Sequence, residues 1–136
     1  MTDYVDYKRE AAVWYEAFSK HDPRLLGSIL AEDWYETPSS NRGGREAGIK
    51  LLVLLTTVFP DFSAEVTDMI QEGDKVVVRS KLTGTQAGPF MGFPSKGRKI
   101  SIQAIDIHEF KDGKIARTWH SEDWMTGLHQ MGVFEN

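Results

Sequence analysis

The hydrophobic period of this chain changes at Pro60, and that change limits the fold more than any other feature. Before it, apolar residues recur every three or four positions; after it, they alternate. Tyr4, Tyr7, Ala11, Trp14, Tyr15 and Phe18 form one stripe, which predicts a helix over 2–20 capped by Thr2 or Asp3. Asp22-Pro23 sets a capping oxygen ahead of a first-turn proline, so a short second helix should run through Leu30. A brief strand at Trp34–Glu36 and a polar, glycine-bearing loop from Pro38 to Gly44 precede a third helix over roughly 45–58, which Pro60 prevents from continuing. Beyond Pro60, residues 62–72, 75–85, 98–110 and 114–124 read as strands, and a helical tail is expected from about Thr126. Glu72-Gly73-Asp74-Lys75 and Lys111-Asp112-Gly113-Lys114 supply tight turns, the second with the strong hairpin dipeptide Asp-Gly. Helices first and a long antiparallel sheet second predict one α+β domain over 1–136, with the helices on one sheet face.

Composition excludes several classes of function. At 136 residues with a formal charge of −4, the chain has no basic stripe to neutralise phosphates, so no nucleic-acid partner is expected. It has no cysteine, hence no disulfide, thiolate metal site or cysteine nucleophile, which fits a reducing cytoplasm. The longest near-apolar run, Ile49–Phe59, is too short to cross a bilayer, and the first residues lack the order of a signal peptide; no membrane partner is expected.

A two-residue loop at Asp112-Gly113 sets Phe110 opposite Ile115, His108 opposite Arg117, Asp106 opposite Trp119, Ala104 opposite Ser121 and Ile102 opposite Asp123. Alternation puts all ten on one face, and Gln103, Ile105, Ile107, Thr118, His120 and Glu122 on the other; a one-residue bulge would reverse the outer pairs. The first face mixes apolar groups with carboxylates, a histidine and an arginine. That mixture suits a ligand cavity, and it equally suits polar groups pairing with one another, Arg117 with Asp106 or Asp123. Asp68 and Arg79 face each other across the other hairpin as a plain ion pair. Ile105, Ile107, Thr118 and His120 are expected to form a subunit interface.

The stretch 84–97 carries Phe90, Met91 and Phe93 on a loop longer than a hairpin needs, either as a plug of the sheet's open end or as a lid over a pocket. Its glycines lack the order of a phosphate cradle. No metal site is expected, because His21, His108, His120 and His129 are scattered and His108 and His120 fall on opposite faces of the inferred hairpin.

In this order, His21-Asp22-Pro23, Phe59-Pro60-Asp61, Glu72-Gly73-Asp74-Lys75, Gly84-Thr85, Gly88-Pro89-Phe90-Met91-Gly92, Asp112-Gly113-Lys114-Ile115, Trp119 with Asp123, and Gln130-Met131-Gly132 span nearly the whole chain. Together they resemble the SnoaL-like polyketide cyclases, or ester cyclases, of the nuclear transport factor 2-like superfamily. The resemblance implies a cone-shaped barrel with helices enclosing a deep apolar pocket, and a homodimer or homotetramer. It implies intramolecular aldol closure of a small hydrophobic carbonyl compound, without cofactor or metal, with Asp123 as acid/base. His108 or Arg117 would then stabilise the enolate, and Trp14, Tyr15 and Phe18 would cover a flat substrate. Trp34, Gln86, Phe90, Phe93, Asp106, Phe110 and Trp119 complete the expected pocket. Gln86 departs from the histidine of many relatives, and Arg117 from an acidic residue. Isomerase, dehydratase, hydrolase and non-catalytic binding roles remain alternatives on the same scaffold.

Overall fold

The computed structural model describes residues 4–37 and 43–135. Its elements run α1 (Lys8–Lys20), α2 (Pro23–Ile29), β1 (Leu30–Thr37), α3 (Arg45–Val58), β2 (Ser63–Glu72), β3 (Lys75–Thr85), β4 (Lys99–Lys111), β5 (Lys114–Glu122) and α4 (Trp124–Gln130). The strands form one curved, unclosed sheet in the order β1-β5-β4-β3-β2, antiparallel throughout except for the parallel β1–β5 pair. The helices bury the inner face of the sheet, and this is the α+β cone the sequence implies.

Local chemistry explains most boundaries. Asp22 caps α2 by accepting from Arg24 N at 2.9 Å, and Pro23 follows at the first helical position. α1 starts later than the apolar stripe suggests. Gln71 on β2 accepts from Tyr7 N at 2.9 Å and donates to Val5 O at 2.6 Å, while Tyr7 stacks on Phe110 at 4.4 Å. These ties hold residues 5–7 outside the helix, alongside β2; the expected caps Thr2 and Asp3 lie outside the described residues, as does most of the 38–44 loop. Gly48 lets α3 settle onto β1, because a Cβ there would stand 2.6 Å from Leu30 Cδ1.

The β2–β3 hairpin has the expected register, with Asp68 opposite Arg79 and ion-paired to it. The β4–β5 hairpin begins as expected. Asp112 and Gly113 both have positive φ, and Lys111 pairs with Lys114 and Phe110 with Ile115. A bulge follows at once: Glu109 pairs with Arg117, and Ala116 is the extra residue. From there His108 faces Thr118, Asp106 faces His120 and Ala104 faces Glu122. The rest of β5 is therefore reversed relative to the unbulged reading. Thr118, His120 and Glu122 point under the helices, whereas Arg117, Trp119 and Ser121 take the outer face.

Candidate active site

The bulge assembles a polar cluster inside an aromatic core. Trp34 Nε1 donates to Thr118 Oγ1 at 3.1 Å, so the Thr118 hydroxyl is free to donate to His108 Nδ1 at 2.9 Å. His108 then carries its proton on Nε2 and donates to the Tyr15 hydroxyl at 2.9 Å, and Tyr15 donates to Asp106 Oδ2 at 2.6 Å. The other Asp106 oxygen, Oδ1, accepts from His120 Nδ1 at 2.8 Å. Each donor in this chain has an acceptor, which is what a buried polar network requires.

The far side of His120 is covered by Glu36 at the edge of a mouth. Its Nε2 lies 2.7 Å from Glu36 Oε2, an ion-pair contact whose N–H direction is not aligned on that oxygen. Glu122 Oε1 is 3.7 Å from His120 Nδ1, and its Oε2 accepts from Trp124 Nε1 at 2.5 Å. Glu36, His120 and Glu122 line this mouth with Leu51, Met91 and Trp124.

Environment separates the charge states. Burial pushes the His108 imidazole down to about 4, so it is neutral at physiological pH. Burial also works against charge on His120, but the hydrogen bond to Asp106 and the close Glu36 carboxylate win and lift it to about 10. Burial raises Asp106, yet the hydrogen bond from His120, the charge of that imidazolium and the Tyr15 hydrogen bond bring it below its usual value. Burial raises Glu122; the His120 charge pulls against that rise, and the Asp106 charge adds to it. Burial, together with the Asp106 charge, holds the Tyr15 hydroxyl well above its ordinary value, so it stays protonated. An imidazolium and a carboxylate of raised basicity thus stand side by side, a charge arrangement suited to proton transfer.

Asp123 is a correction. It ends the strand on the solvent side and caps α4, accepting from Thr126 N at 3.2 Å and Thr126 Oγ1 at 2.6 Å. Those hydrogen bonds hold its carboxyl below the usual range, the wrong direction for a base. Arg117 and Trp119 are also displaced: on the outer face the guanidinium lies 4.0 Å over the Trp119 ring and donates to Thr37 Oγ1 at 3.0 Å. Gln86 is buried, but its amide nitrogen donates to Gly88 O and Phe93 O and so braces the turn rather than the cluster. Phe110 is core beneath Tyr7. Phe90 acts as the plug, its ring tilted against Trp124 at 4.7 Å, while Met91 and Phe93 remain exposed. Trp14, Tyr15, Phe18, Asp106 and Glu122 line a narrow inner cavity, and Trp34 and His108 stand behind it.

That cavity is smaller than expected. The aromatic side chains fill it to about 20 Å³, room for one water molecule. Outside it lie the mouth, a concavity of about 590 Å³, and an adjoining groove of about 400 Å³; Leu51 and Glu122 border all three.

Reading the sequence without the bulge misses His120, Glu122, Glu36 and Thr118. One signal could have found three of them: only the bulged register gives both His108 and Asp106 a complementary partner across the strand. The unbulged one sets His108 against Arg117. The bulge also places Asp106, His120 and Glu122 with ligand atoms within 4.8 Å of one another, a spacing that can hold a metal ion. It overturns the expectation that His108 and His120 lie on opposite faces. A cation there would have to displace the His120 proton that Asp106 and Glu36 hold.

Residues 9–131 match the sequence profile of the SnoaL-like polyketide cyclases. The chain belongs to this family. Several solved structures share its architecture. TsrD from Streptomyces laurentii superposes with a TM-score of 0.89 at 29% identity, covering 98% of this chain and 100% of TsrD. IdmH from Streptomyces antibioticus, a proposed polyketide cyclase, gives 0.82 at 29% identity, with 95% and 100% covered. AclR from Streptomyces galilaeus, a proposed hydroxylase, gives 0.82 at 23% identity, with 96% and 85% covered, and shares the fold. No curated protein matches the chain.

Proposed function

We propose that this SnoaL-like protein is an acid/base enzyme of the cyclase type, acting on a small neutral carbonyl compound held at the mouth. Glu122 takes a proton from a carbon beside a carbonyl, and the resulting enolate carbon attacks a second carbonyl of the same molecule. The alkoxide formed takes that proton back from Glu122, while the His120 imidazolium stabilises the negative charge developing on the enolate and alkoxide oxygens. Asp106 positions His120 and keeps it charged; Tyr15, His108, Thr118 and Trp34 position Asp106. These proton transfers need only the chain's own residues. Among the described residues no lysine or arginine lines the cavity, the mouth or the groove, which favours a neutral substrate over a carboxylate.

The observation that carries this reading is the placement of Glu122 and His120, 3.7 Å apart on one concave surface, with raised basicity at the carboxylate and a retained proton at the imidazole. The test follows closure of an open-chain diketone to a conjugated ring, together with exchange of its α-protons in deuterated buffer. Glu122→Gln should abolish both while the fold persists; undiminished exchange would remove Glu122 from the role. Isomerisation or dehydration would begin with the same proton abstraction, and the product distinguishes them.

The homo-oligomer and the cytoplasmic location belong to the same proposal. No described helix is long and apolar enough to cross a membrane. Thr118 and His120 are buried inside and leave the expected interface; Trp119 replaces them. Ile70, Val77, Ile107 and Trp119 lie in register across four strands of the outer face, a row suited to a second copy.

A further inference from the structure

We propose that the groove between α3 and the turn at 90–93 is a binding subsite for an apolar tail of the substrate, whose carbonyl head lies at Glu122 and His120. This rests on the reading above and adds a substrate class to it: carbonyl compounds bearing a flexible hydrocarbon chain of several carbons. The inner cavity has room for about one water molecule, so the body of a substrate whose head sits at the mouth must extend elsewhere. The groove, about 400 Å³, is the adjoining space, and Glu122 is the sole ionisable group among its described lining residues. Leu51, Leu54 and Leu55 form one wall, and Phe90, Met91 and Trp124 the other.

Met91 is the second observation. Phe90 and Phe93 exchange backbone hydrogen bonds of 2.9 and 2.8 Å, enclosing a two-residue loop in which Met91 and Gly92 both have positive φ. Asparagine or glycine adopts that conformation readily; methionine does so at a cost. The cost is met by a side chain 57% exposed, opposite Leu54, itself 52% exposed. Two large apolar side chains are thus presented to solvent across a groove that opens onto the base, one of them on strained backbone. Methionine's flexible thioether suits a wall that must fit chains of varying shape.

The test uses straight-chain methyl ketones from butanone to nonanone, with binding read by tryptophan fluorescence on the native protein, Met91→Asn, Leu54→Gln and the double variant. Asparagine suits the turn better than methionine, and Leu54 is half exposed, so circular dichroism should show intact folds. In the native protein each added methylene should tighten Kd about three- to fourfold. In the double variant the dependence should fall below about twofold per methylene, on the same scale. A native Kd indifferent to chain length, or an unchanged slope in the variants, overturns the subsite. Glu122→Gln separates this from the catalytic reading: it should retain the slope and lose α-proton exchange. A steep slope without exchange in the native protein overturns the role of Glu122 and supports the subsite. Exchange with a flat slope does the reverse.

Discussion

Replacing Asp106 by Asn tests whether the cluster works as a charge-holding device. In the native protein His120 is lifted from its ordinary 6.5 to about 10, against burial, by Asp106 and Glu36. At 1.36 kcal/mol per pH unit, that preference for the imidazolium amounts to about 5 kcal/mol, shared among the surrounding carboxylates. Asp106→Asn keeps the shape and removes the charge nearest Nδ1. His120 should then titrate back towards the ordinary imidazole range, and roughly half of that energy, about 2–3 kcal/mol, should disappear from the folding free energy near neutral pH. Because the folded-state value is raised, the contribution is complete below the unfolded value near 6.5 and fades as pH climbs through about 10. Urea unfolding of native and variant proteins should therefore show a gap that is widest in mildly acidic buffer and narrows in alkaline buffer. Side-chain nitrogen NMR of His120 gives the titration directly. An imidazole in Asp106→Asn that still holds its proton up to about 10 would refute the reasoning, as would a stability gap that grows with pH.

Two further outcomes follow from the reversed strand. Asp123→Ala should lower the melting temperature slightly, by loss of the α4 cap, and change turnover less than about twofold, since its carboxylate faces solvent; a hundredfold loss of kcat would restore it to the chemistry. The native protein should sediment as a dimer or tetramer at micromolar concentration, and Ile107→Lys should yield a single-chain mass with unaltered α-proton exchange. A native protein already of single-chain mass would count against the outer-face interface.

Much of the architecture was legible from periodicity and turn chemistry. Pro60 divides helices from strands, Asp22-Pro23 opens α2, and the glycine-bearing turns at 73 and 113 fix both hairpins where they begin. The start of α1 was not legible, because Tyr7 is tied to Gln71 and stacks on Phe110 without helical backbone, and Tyr4 is exposed. The site was half legible. Asp106, His108 and the aromatic face of α1 lie on elements whose phase is set by their own pattern. Thr118, His120 and Glu122 depend on one extra residue, Ala116, and no local preference distinguishes a bulge there from a regular strand. Asp123 shows the result: a residue matched by motif, one step off in the alternation, becomes a helix cap.

The insertion at Ala116 also bears on how functional assignments pass between homologues. Along β5 each position belongs to one of two parities, one wet and one reactive, and a single added or lost residue exchanges their memberships wholesale. Two relatives can therefore share a letter in an alignment column while using it on opposite sides of the sheet. Conversely, they can run equivalent chemistry from adjacent columns. A role is therefore better carried over by the hollow side of the strand than by the alignment column.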